Sequence, residues 1–199
     1  MSETLKWTLS AICNGIVTVW MCILLIRKIR QKEPGFFRYF TTLSNIFAMI
    51  GCAVILPFSL TGAIRGDVVI PHAFSLMKYV SATSVCVTLL TVLFFLGPVQ
   101  GYDKMLGGEG LYLHLIGPVL AVVSCCLLEK GWTWAEGALG MLPTVIYGTV
   151  YYVQVMERKK WEDFYGYNSG GRWYISVLAM VVGTALICLG MTAAGLHTY

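Results

Sequence analysis

Charge is what this chain is short of. Only 12% of its 199 residues are Asp, Glu, Lys or Arg, about half the roughly 25% carried by a soluble domain. Those charges fall in short clusters separated by long uncharged stretches, which excludes a soluble globular domain and points to an integral membrane protein. The apolar runs hold no acidic residue, and the three histidines stand far apart. No metal site and no cofactor are therefore expected. The seven cysteines form no Cys-x-x-Cys pair, and an odd number cannot close into disulfides. All fall inside apolar runs, where a thiol is a small apolar filler. The N-terminus has no cleavable signal pattern: "WTLSAICNGIVTVWMCILLI" is of spanning length, ends on Arg27-Lys28 and is followed by no small-residue cleavage site. It is expected to remain as the first span. No internal repeat or low-complexity segment divides the chain.

What remains is 57% apolar, with a mean hydropathy of +0.73. Six segments reach spanning length: about 7–26, 36–57, 76–96, 111–128, 137–156 and 173–195. Roughly 20 residues rising about 1.5 Å each cross a hydrocarbon core of about 30 Å. The expected fold is all-α, a single bundle of six transmembrane helices with short connections, covering residues 1–199 as one domain. Ten basic residues lie on or beside connections 1, 3 and 5, against four (Lys6, Arg65, Lys78 and Lys130) on the other side. The positive-inside rule then puts those three connections in the cytoplasm and both termini outside. "RKIRQK" and "MERKK" flank spans with no folded domain to present them. They read as headgroup anchors, and no nucleic-acid partner is expected. Trp7, Trp132, Trp134, Trp161 and Trp173 sit near span ends, as interfacial aromatics do.

Spans 2, 4 and 6 all start from the face of connections 1, 3 and 5. Span 2 opens "FFRYFTTLSN" and span 4 opens "LYLHLIGP". Thr41 and His114 therefore lie at nearly the same shallow depth, within one helical turn. Helices 2 and 4 are expected to be neighbours there, with the two side chains about 4–5 Å apart. Pro118 has no N–H for the carbonyl of His114, so the helix should open at that point, with Gly117 making room for a bay. Thr41, Ser44 and Asn45 share one face, with Thr42 beside them. Ser81, Ser84, Thr88 and Thr91 form a second polar stripe on span 3. The bland alternative for these hydroxyls is a bond back to a carbonyl one turn earlier, and for His114 a bond between helices. Asp163 or Glu162 is a candidate to orient the imidazole, or else a surface charge beside a basic run. "FYGYNSGGRW", with Trp173 at its end, is expected to lie over the same face as a lid or rim.

The pairing of "YFTTLSN" with "HLIGP" resembles the six-helix membrane proteins grouped with the androgen-induced and androgen-dependent TFPI-regulating proteins, including their bacterial branch. In animal members a threonine and a histidine, each early in a span, are described as the pair that hydrolyses fatty acid esters of hydroxy fatty acids. By that resemblance the threonine carries over to Thr41, with Thr42 as the neighbouring register, and the histidine to His114. The animal proteins carry a Tyr-Pro-Phe segment before the last span, where this chain has "WEDFYGYNSGGRW".

The expected function is hydrolysis of a lipid-like acyl ester at a shallow site near the cytoplasmic face of a multi-pass protein of a bacterial plasma membrane. Thr41 is the nucleophile and His114 the base that activates it. Thr42, Ser44, Asn45 and Trp173 are the candidate substrate-binding residues, with Asn45 donating to the developing oxyanion. The other reading is a carrier or lipid-binding protein with Lys78 at the mouth of span 3. No broken helix pair, inverted repeat or buried acidic residue supports ion coupling.

Overall fold

The computed structural model describes residues 1–128 and 131–196; Lys130 and His197 lie outside these. Among the described residues every element is helical and none is a strand. Among the described residues five helices are long and apolar enough to cross a membrane: α1 (Glu3–Arg30), α2 (Phe40–Arg65), α3 (His72–Gln100), α4 (Glu109–Leu128) and, last of them, α6 (Trp173–Leu196). The fifth segment, α5, is a succession of shorter pieces over 134–157. Two α-helical stretches, Trp134–Ala138 and Leu142–Tyr152, are joined by a 3₁₀ turn and followed by a π turn, Val153–Glu157.

Local chemistry sets the ends. Ser2 accepts a hydrogen bond from the backbone N–H of Leu5 and starts α1. At 134, Thr133 and Glu136 form a reciprocal capping box. α2 runs eight residues beyond the expected end at 57, through Pro57, and stops at Gly66, whose φ of 82° closes the helix with a bond to the Gly62 carbonyl.

α1, α2, α3 and α4 pack closely around small residues, Ala48, Cys52, Val85 and Ala121 with Val17. Glycine permits the approach: a Cβ on Gly51 would strike Ser81 Oγ, and one on Gly62 would strike the Trp7 ring. α3 is the central helix, with 56% of its most apolar stretch buried against 22% for α6. Trp7 and Trp132, expected at the interface, instead pack inward; Trp132 lies on Tyr79 with ring centroids 4.5 Å apart. The close passage of α1 by Gly62 and of Tyr79 by the segment before α5 explains both.

Polar ties show which connections share a face. Arg27 at the end of α1 pairs with Glu109 at the start of α4, joined by Lys28. Tyr147 donates to the Arg38 carbonyl, and Phe40 N–H donates to the Tyr165 hydroxyl. Connections 1, 3 and 5 therefore meet at one end of the bundle. At the other end His72 pairs with Glu136, joining connections 2 and 4.

Lys78 does not stand at a mouth. It is 0% exposed and donates to Asn14 Oδ1 at 2.8 Å and towards Cys52 Sγ at 2.7 Å, while Asn14 reaches Ser10 and Ser59. The ammonium is clamped between α1 and α2 and cannot line a path. Lys78→Met should lower stability in detergent by about 1–3 kcal/mol, because Asn14 is left buried without its donor. Lys78→Met combined with Asn14→Leu should recover part of that loss in the same thermal unfolding assay.

At the opposite face from Thr41, the Glu136 carboxyl is held down to about 2 by the Thr133 N–H, by His72 and by the Thr133 hydroxyl. A depressed carboxylate adds stability above its ordinary pKa and loses it as pH falls towards the folded value. The melting midpoint should therefore drop between about pH 5 and pH 2.5 more steeply in the native protein than in Glu136→Gln.

Candidate functional site

The start of α2 is built without a cap of its own. Gly35 (φ 78°) turns the chain into a 3₁₀ turn, Phe36–Arg38, and extended Tyr39 leads into the helix without a side-chain hydrogen bond to its first turn. The orphan N–H of Phe40 is taken up by the Tyr165 hydroxyl at 2.9 Å, from a residue 125 positions away. That hydroxyl also sits beside the Thr41 and Tyr147 hydroxyls, and burial pushes its pKa up. Tyr165 stays a neutral hydrogen-bonding group next to Thr41.

Connection 5 holds Tyr165 in place through Asp163. One carboxylate oxygen accepts from the Tyr151 hydroxyl (2.8 Å) and the Tyr167 N–H (2.7 Å), and the other accepts from the Asn168 N–H (2.7 Å). Asp163 thus organises the loop, and among the described residues it makes no hydrogen bond to His114 and no ion pair. Phe164 packs on Tyr39 with centroids 4.7 Å apart, and Tyr151 packs on Phe164, Tyr165 and Tyr167. The loop lies over the start of α2 as a rim.

Beneath that rim is a cavity of about 680 Å³ between the second half of α3, the start of α2, α5 and α6. Ten hydroxyl side chains line it, Thr41, Thr88, Thr91, Thr144, Tyr147, Tyr151, Tyr165, Tyr167, Ser176 and Thr184, and among the described residues the wall contains no Asp, Glu, Lys, Arg or His. Two of its wall residues, Phe94 and Leu186, are 77% and 64% exposed, so the cavity opens sideways between α3 and α6. The hydroxyl of Thr144 in that wall is buried and has no hydrogen-bond partner among the described residues.

Ser44 shares a hydrogen bond with Thr88 at 2.8 Å, tying α2 to α3. Asn45 donates its side-chain amide to the Thr41 carbonyl (2.8 Å) and to the Leu113 carbonyl (2.9 Å). One amide hydrogen turns back to the backbone of α2 and the other joins α2 to α4, so both are used and Asn45 is a clamp and not a free oxyanion donor. Its contact at Leu113 does bring α2 and α4 together one residue from His114, at the expected level. Thr42 is 3% exposed inside the bundle and outside the cavity wall. Trp173 packs at a tilt against Tyr152, with ring centroids 5.1 Å apart, and lines a separate groove of about 290 Å³ between α5 and α6.

His114 sits in a π turn, Tyr112–Ile116, where Gly117 N–H bonds back five residues to the Tyr112 carbonyl. Pro118 explains the wide turn, since it has no N–H to give the His114 carbonyl one turn earlier. The room made by Gly117 is filled by the Tyr112 ring, 3.2 Å from where a Cβ would stand, and not by an open bay. His114 Nδ1 lies 2.6 Å from the Met105 carbonyl. A carbonyl only accepts, so Nδ1 carries the hydrogen and the neutral ring keeps its lone pair on Nε2. Among the described residues no hydrogen bond joins His114 to Thr41, and His114 is not part of the cavity wall. No group of three or more potential metal ligands occurs among the described residues.

No family model, no curated protein and no solved structure matches the chain.

Asp163→Ala should loosen the rim. Hydrogen exchange at the Tyr167 and Asn168 amides is expected to speed up by at least tenfold, about 1.4 kcal/mol for bonds to a charged acceptor, while exchange in α1 stays unchanged.

Proposed function

We propose that the protein takes a lipid-like acyl ester from the bilayer into the cavity and hydrolyses it at Thr41. The observation that carries this reading is a mostly apolar, laterally open cavity whose rim end holds Thr41 beside Tyr165. A chain in that cavity would lie against α3 and α6, with its ester at the Thr41–Tyr165 end. Charge-free walls suit an ester better than an ion, because a buried charge without a partner is costly. In this proposal six helices cross a bacterial plasma membrane, with α5 as the sixth span and connections 1, 3 and 5 in the cytoplasm. The chain would then be a bacterial relative of the threonine-type hydrolases its two motifs resemble.

The chemistry is nucleophilic acyl transfer. The Thr41 hydroxyl attacks the ester carbonyl while a base takes its proton; the alcohol leaves with a proton, and water then cleaves the acyl-threonine. His114 is the proposed base, supported by the lone pair left on Nε2 and by the Asn45 clamp that joins α2 to α4 beside it. Tyr165, already next to the Thr41 hydroxyl, is better placed than Asn45 to donate to a developing oxyanion.

A second reading is a lipid-binding or carrier protein without chemistry. The specific observation in its favour is that His114 bonds to Met105 and stays outside the cavity wall.

A fluorophosphonate probe separates the two. Labelling and acyl-ester turnover should disappear in Thr41→Ala and persist in Thr41→Ser, and His114→Ala should cost roughly 10²–10⁴-fold in rate. A well-folded protein that retains lipid but is neither labelled nor active supports binding alone. Turnover that survives His114→Ala removes the histidine from the mechanism.

A further inference from the structure

We infer that Gly183 and Gly190 on α6 set the length of the single acyl chain that the cavity accepts; this rests on the cavity reading proposed above. Both glycines belong to the cavity wall, and a Cβ added to either would meet no atom within 4 Å. Their backbones have no left-handed φ, so a larger side chain is free of strain at both positions. They are seven residues apart, two turns along one face of α6. By contrast a Cβ on Gly137 or Gly195, at the outer end of the same helix contact, would strike Thr192 or Trp132 within 3 Å. Close packing accounts for those glycines, whereas half-buried Gly183 and exposed Gly190 have no neighbour filling the space in front of them.

The cavity has the dimensions of one extended chain. The wall follows α6 from Ser176, beside the rim, to Gly190 and Met191. Fourteen residues rise about 21 Å, which an extended hydrocarbon chain covers with roughly 16 carbons, given a carbon–carbon bond near 1.5 Å. Dividing about 680 Å³ by the roughly 30 Å³ of a water-sized group leaves room for roughly 20 such groups, one chain and its ester. Gly183 lies only about 10 Å from Ser176, the reach of roughly 8 carbons. A side chain there cuts the channel in half, whereas one at Gly190 trims only its end.

The test is equilibrium binding of a 1-acylglycerol series, from eight to eighteen carbons, to the full chain in nanodiscs. Thr41→Ala serves as the background so that no probe is consumed. In that background affinity should rise with chain length to about 16 carbons, gaining up to about fourfold per methylene buried. Adding Gly183→Leu should abolish the gain beyond about 8 carbons while leaving the shortest probe nearly unaffected. Gly190→Leu should move the plateau to an intermediate length. Gly183→Ala, which changes little volume, should leave a plateau close to the background's and controls for damage to the helix. A protein that binds the series with the same length profile in Gly183→Leu and Gly190→Leu overturns the ruler and leaves the cavity reading standing. A protein that binds no member of the series overturns both.

Discussion

A polar group inside an apolar bundle has to find its partner on another helix or in its own backbone, and α3 is where this constraint is heaviest. It carries Lys78, Ser81, Ser84 and Thr88, all buried. Ser81 and Ser84 turn back to carbonyls of α3 itself, but Lys78 reaches across to Asn14 and Thr88 to Ser44. These ties hold α3 against α1 and α2 along much of its length. Towards α6 the ties are found only at the far end, where the Tyr79 hydroxyl meets the Cys188 carbonyl and the Thr192 hydroxyl, and also the Gly137 carbonyl. Among the described residues no hydrogen bond links the second half of α3 to α6. The cavity lies where the polar ties stop, so the distribution of hydrogen bonds that stabilises the bundle also shapes its one-sided opening.

Two of the irregular turns share a cause. "LGP" at 96–98 and "IGP" at 116–118 each follow a π turn, and in both the glycine N–H reaches back five residues, Gly97 to Val92 and Gly117 to Tyr112. A proline withdraws one hydrogen bond, and the chain recovers by widening the turn before it. The glycine is required because a ring occupies the space: Tyr102 against Gly97 and Tyr112 against Gly117. One turn ends with Phe95 and Leu96 in the cavity wall, and the other presents His114 to Met105.

The helices were legible because apolar length and charge spacing are properties of the chain itself. The level shared by the starts of α2 and α4 followed from span direction, and the Asn45–Leu113 bond meets it. The opening at His114 could be read from Pro118, although its filling by Tyr112 could not. Depth alone does not specify which way a side chain turns about its helix axis. This is why Thr41 faces a cavity shared with α3, α5 and α6 while His114 faces connection 3. The lid-like position of "FYGYNSGGRW" was also legible, from its glycines and aromatics. The role of Asp163 was not, because a carboxylate beside "MERKK" looks like a surface pair until the loop folds around it. α5 shows the same limit: its composition reads as one span, but the 3₁₀ and π turns divide its geometry.

The surroundings of Thr41 depend on connection 5 as much as on α2. The first turn of a helix has backbone N–H groups that nothing inside the helix can satisfy, and here Tyr165 serves one of them from the opposite end of the sequence. Tyr165 is in turn fixed by the ring cluster around Tyr151, and Tyr151 by Asp163. The loop cannot lift without uncapping α2 and exposing the Thr41 hydroxyl. Conversely, a ligand oxygen that took the place of the Tyr165 hydroxyl at Thr41 would compete with the bond that holds the rim closed. Cover and site are therefore coupled through one hydroxyl, and occupancy of the cavity and closure of its rim draw on the same hydrogen-bonding groups.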